Sequence, residues 1–99
     1  MRLSNEQRTA LDAALDDAQL PRDTQVYLFG SRVDPNARGG DIDLLVYCHS
    51  CDRETLRRRI RRAYEAKIEE RIDVLVIDVD RPDAEAAVFA RTLNTERLR

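Results

Sequence analysis

A single α/β domain built around a small sheet is the fold class this sequence predicts, and three observations predict it. The chain has 99 residues, the length of one compact core. Its apolar stretches switch between helical periodicity and short β-prone runs, in the order α, β, glycine-rich loop, β, α, β, α. No linker, internal repeat or low-complexity segment divides residues 1–99. Apolar residues make up 42% of the chain and charged ones 36%, which is polar for a globular protein yet rich enough in aliphatic side chains to form a core.

Ser4 and Gln7 have the spacing of a capping box, and Leu11, Ala14, Leu15 and Ala18 recur at i, i+3, i+4 and i+7. Residues 4–19 are therefore expected to form an amphipathic helix, which Pro21 ends. Val26 to Phe29 is a short apolar run that stops at Gly30 and reads as a buried strand. Ile42 to Tyr47 is the second strand and Ile72 to Ile77 the third. Between them, residues 53–69 place Leu56, Ile60, Ala63, Tyr64 and Ile68 on one stripe of a highly charged helix. Pro82, early in a run holding Ala86, Phe89, Ala90 and Leu93, opens a last helix.

Charge narrows the function classes. Lysine and arginine number 17 against 19 acids, a net charge of −2, which argues against a general nucleic-acid or anionic-membrane binder. The densest basic run, Arg57, Arg58, Arg59, Arg61 and Arg62, spreads around more than one helix face, and Glu54–Arg58 and Arg61–Glu65 have ion-pair spacing. A solvated face is the better reading. No apolar run approaches the roughly 18 residues of a membrane span, and the first residues are polar rather than signal-like. The expected location is the cytoplasm. Cys48 and Cys51 are too close in sequence to staple a fold, and with His49 they fall short of the four ligands of a structural zinc site. They are expected to be small, buried or half-buried thiols in a reducing compartment.

Acids inside apolar strands are costly unless compensated, and Asp41, Asp43 and Asp73 are the three to explain. Side chains alternate along a strand, so Asp41 and Asp43 share one side while Ile42, Leu44 and Val46 share the other. Asp73 repeats the pattern between Ile72 and Val74. If the second and third strands are neighbours, the three carboxylates converge, and the simplest remedy for their mutual repulsion is a divalent cation. Carboxylates suit Mg²⁺ or Mn²⁺. The competing reading is strand-end acids that are solvated or paired with arginines. Against it stands the adjacent window that holds all three glycines, Gly30, Gly39 and Gly40. Its backbone N–H groups and the Ser31 hydroxyl can bind phosphate. Arg32 and Arg38 flank the window and can neutralise phosphate charge, Arg32 being the one beside Ser31.

The segment LFGSRVDPNARGGDIDLLV, residues 28–46, resembles the signature of the DNA polymerase β-like nucleotidyltransferase superfamily: a Gly-Ser pair, nine residues, then Asp-x-Asp within a strand. Its overall length and element order are similar to those of the minimal nucleotidyltransferases. The resemblance implies an α+β fold with a mixed sheet backed by helices, like a polymerase β palm. It also implies a nucleoside triphosphate, ATP above all, with two Mg²⁺ ions. Gly30, Ser31 and Arg32 would hold the nucleotide, Asp41 and Asp43 would ligate metal, and Asp73 would complete the metal site or take a proton. A HEPN-domain ribonuclease toxin is the implied partner, with this chain as antitoxin transferring AMP to a tyrosine of the toxin. The alternative is a binder that neutralises its partner by occlusion. Leu45, Leu75 and Ile77 are expected on the acids' side of the sheet, where a helix or a partner must cover them.

Overall fold

The computed structural model describes residues 3–29, 42–81, 83 and 95–99. Helix α1, Asn5–Asp17, starts where the capping box places it. Ser4 Oγ accepts from the Gln7 N–H at 3.0 Å and Gln7 Oε1 accepts from the Ser4 N–H at 2.9 Å, satisfying two donors the helix itself cannot. The predicted stripe of Leu11, Ala14, Leu15 and Ala18 is buried, joined by Ala10. The helix ends two residues before position 19 because Gln19 turns into the left-handed region, with φ of 54°, a common way to close a helix though usually made by glycine or asparagine.

Strand β1, Gln25–Phe29, runs antiparallel to β2, Ile42–Cys48, with Tyr27 opposite Leu45 and Phe29 opposite Asp43. Helix α2, Arg53–Glu65, then carries the chain across to β3, Ile72–Asp78, which lies parallel to β2. A parallel neighbour demands such a crossover. A short strand, β4, Thr95–Arg97, pairs antiparallel with the other side of β1. The order is β3-β2-β1-β4, a mixed sheet. The α+β expectation holds, with β4 as an addition that sequence periodicity does not show. The last helix expected from Pro82 to Leu93 lies outside the described residues, as does the glycine window.

Helix α2 begins at Asp52, whose Oδ1 accepts from the Thr55 N–H at 3.1 Å; that bond holds the Asp52 carboxyl below its ordinary value. Leu56, Ile60 and Tyr64 form its buried stripe. The helix stops at Glu65 rather than 69, and Ile68 packs on the core from the turn beyond. Glu54 pairs with Arg57 at 2.6 Å instead of the expected Arg58, while Arg61–Glu65 forms at 3.5 Å.

Both described helices cover the same face of the sheet. The main core sets Leu11, Leu15, Ile60 and Tyr64 against Val26, Leu28, Leu44, Val46 and Ile72. Glu70 ties the helices together: its carboxylate accepts from the Gln7 side-chain amide at 2.9 Å and from the Tyr64 hydroxyl at 3.3 Å. Arg99 fastens the far end of the chain to α1 through Asp16 at 2.7 Å and the Asp12 carbonyl at 3.0 Å. On the opposite face Leu45 and Ile77 form a smaller cluster with Tyr27, Phe29, Tyr47 and Leu75. Tyr27 and Tyr47 meet edge to face, ring centroids 5.7 Å apart, a favoured aromatic geometry.

Candidate active site

Asp43 and Asp73 sit on the sheet face opposite both described helices. Along β2 the buried Ile42 and Leu44 point into the helix-covered core, so strand alternation turns Asp43 to the other side with Leu45 and Tyr47. In β3, Ile72 and Val74 are buried and Asp73 is exposed between them. The parallel register makes Asp43 and Asp73 direct partners. Neighbouring strands lie about 4.8 Å apart, so two carboxylates from adjacent strands stand side by side on one sheet face. Asp43 is half-buried and faces Phe29 across the antiparallel pair. The adjacency that the sequence could state only as a condition is therefore met for two of the three acids.

Asp41, the third, and the expected nucleotide-binding residues Gly30, Ser31 and Arg32 lie outside the described residues. Among the described residues no group of three potential metal ligands is gathered. The two carboxylates that are described have the donor chemistry of a hard-cation site: all oxygen, and side by side in register. They fit a divalent ion. Leu45 and Ile77, which share the acids' face as expected, are both buried.

The opposite end of β2 holds a second cluster. Asp78, the last residue of β3, has the strand parity of Ile72, Val74 and Val76 and is itself buried. Its Oδ1 accepts from the Ser50 N–H and the Asp80 N–H, each at 3.0 Å. The Cys51 N–H also donates to this carboxylate, and Arg81 stands at 4.0 Å. Burial pushes the Asp78 carboxyl up, but the donors from Asp80, Ser50 and Cys51, with Arg81, outweigh it and leave it below its ordinary 3.8. Sequence reading missed this residue. The available signal is an acid at a core-parity position of an otherwise apolar strand.

This shift fixes the sign of a pH effect. A folded-state pKa below the unfolded one contributes stability that is complete above the unfolded pKa and drains away as pH falls through the folded value. Thermal melts of the wild type between about pH 2 and pH 6 should therefore lose stability toward the acid end more steeply than those of Asp78→Asn, whose amide does not titrate in this range. Parallel profiles would remove Asp78 from the acid response.

Cys48 and Cys51 require a correction. The structure brings their sulfurs together, with Cα atoms 6.0 Å apart, a separation that a disulfide can bridge, where two separate thiols were expected. Cys48 ends β2 with no exposed surface, and Cys51 is half-buried just before the N-cap of α2. Their spacing spans one strand-to-helix turn, and the left-handed Ser50, φ 46°, folds that turn tightly enough for the sulfurs to meet.

A mixed four-stranded sheet with both described helices on one face and paired carboxylates on the other is the arrangement that the resemblance of residues 28–46 implies. The family model for polymerase β nucleotidyltransferases matches residues 18–93, and the chain belongs to that family. The match spans β1, both acid-bearing strands and α2. No curated protein and no solved structure matches the chain significantly. No described helix is long and apolar enough to cross a membrane.

Proposed function

We propose that this chain is a minimal nucleotidyltransferase that moves AMP from ATP to a hydroxyl of a HEPN-domain ribonuclease partner, acting in the cytoplasm as that toxin's antitoxin. The observation that carries the enzymatic part is the in-register pairing of Asp43 with Asp73 on one sheet face, in a chain of the nucleotidyltransferase family. The partner and the acceptor rest on the resemblance of residues 28–46 to the minimal members of the superfamily.

Nucleotidyl transfer asks a protein for positioning and charge neutralisation more than for covalent chemistry. Gly30 and Ser31 bind the β and γ phosphates, and Arg32 offsets their charge. Asp41 and Asp43 would hold the divalent ions, which neutralise triphosphate charge and acidify the acceptor hydroxyl when bound. Asp73 completes that site or accepts the proton the hydroxyl gives up. The acceptor oxygen bonds to the α phosphorus, the bond from that phosphorus to the bridging oxygen breaks, and pyrophosphate departs.

Incubating the protein with Mg²⁺, labelled ATP and the neighbouring gene product is the direct test. The expected result is a labelled partner whose intact mass rises by one or more adenylate units. A stable complex with no mass increase would replace the enzyme with an occluding antitoxin.

A further inference from the structure

We propose that Cys48 and Cys51 form a reversible dithiol–disulfide site, in which Cys51 exchanges with low-molecular-weight thiols and disulfides of the glutathione type and Cys48 resolves the product. Three observations converge on it. The first is asymmetry of access. Cys48 has no exposed surface on the helix-covered side of the sheet, whereas half-buried Cys51 lines a surface cleft of about 560 Å³ with Asp52, Arg53, Glu54, Arg57, Asp78 and Arg81. Only one of the two cysteines has surface open to a second molecule.

The second is proximity. Cys51 immediately precedes Asp52, the N-cap of the 13-residue α2, and the Cα atoms of Cys48 and Cys51 lie 6.0 Å apart, within the range a disulfide bridges. The third is that the turn does not need the bond. Asp78 accepts three backbone N–H bonds from around it, the Val79 N–H donates to the Cys48 carbonyl at 2.9 Å, and Asp52 caps the helix. A cross-link across four residues is also among the shortest loops a disulfide can close, where the entropic gain is smallest. The bond can therefore open and close within the folded chain.

The exchange balances as follows. The Cys51 thiolate attacks one sulfur of a disulfide RSSR, forming Cys51–S–S–R and releasing RS⁻, which takes up a proton. Cys48 gives up its proton and attacks Cys51 Sγ, closing the protein disulfide and expelling the second RS⁻, which is protonated in turn. Two electrons pass from the cysteines to RSSR, and two RSH leave. An excess of RSH drives the same steps backwards.

The test equilibrates the full chain, without denaturant, in mixtures of reduced and oxidised glutathione. Acid quenching, alkylation and intact-mass measurement then report the thiol state. The expected result is one two-electron transition in which both thiols disappear together, with the oxidised chain lighter by two hydrogens and fully restored by dithiothreitol. Peptide-resolved labelling of the reduced, folded wild type should modify Cys51 at least about tenfold faster than Cys48, because accessibility controls the rate. In Cys48→Ala, glutathione should remain trapped on Cys51. The proposal is overturned if both thiols stay free in every buffer, if dithiothreitol leaves the folded protein oxidised, or if Cys48 reacts first. The wild-type labelling decides the matter even if the variant does not fold.

Discussion

Replacing Asp43 with alanine is expected to abolish Mg²⁺-dependent nucleotide transfer and to leave the fold in place. Asp43 is half-buried on the sheet face opposite both described helices, so the main core loses no packing atoms. What disappears is one of two in-register carboxylates and with it an oxygen donor for a hard cation. Changing groups that merely orient a metal ligand typically costs 10–100-fold, so losing a ligand itself should cost more than about 100-fold in transfer rate. The measurement is labelled-nucleotide transfer alongside a thermal melt. Full transfer in a folded Asp43→Ala protein would remove this residue from the cation site.

The neighbouring substitution, Leu44→Ala, should act in the opposite way. Leu44 has no exposed surface, lies in an inner strand, and sits in register with Leu28 on one side and Val74 on the other. Truncating a buried leucine leaves a cavity and costs about 2–5 kcal/mol. In a domain of this size each kcal/mol moves Tm by about 4–8 °C, so a fall of roughly 8–40 °C is expected. Against a total stability of about 5–15 kcal/mol, that loss approaches unfolding. A melt within a few degrees of wild type would show that the two helices do not pack on β2 as described.

The elements that matter to the site were legible because each has a strong local pattern. The Ser4–Gln7 box, the Leu56–Ile60–Tyr64 stripe and three apolar runs specify both described helices and three of the strands. Helix ends were less legible: α1 is closed by a left-handed glutamine, where composition offers no glycine to mark the turn. Strand β4 is Thr-Glu-Arg, three polar residues held by pairing with β1 rather than by any preference of their own. Strand order is a property of the whole packing. Hence the sequence placed Asp43 and Asp73 at equivalent points of two strands, and only the register of β2 with β3 makes them neighbours. The Cys48–Cys51 bond was obscure for a related reason, since four residues staple a fold poorly and the sharp turn at Ser50 cannot be read from composition.

The alternation along β2 and β3 has an evolutionary reading. Each strand interleaves two messages: even-numbered positions from Ile42 to Cys48 and from Ile72 to Asp78 hold the chain together, and the odd-numbered ones between them face the side that carries Asp43 and Asp73. Selection can rewrite one message while leaving the other untouched, so activity can be altered or lost in a descendant whose architecture persists. An insertion of a single residue early in β2 is the change neither message survives, because it exchanges every letter of one for a letter of the other.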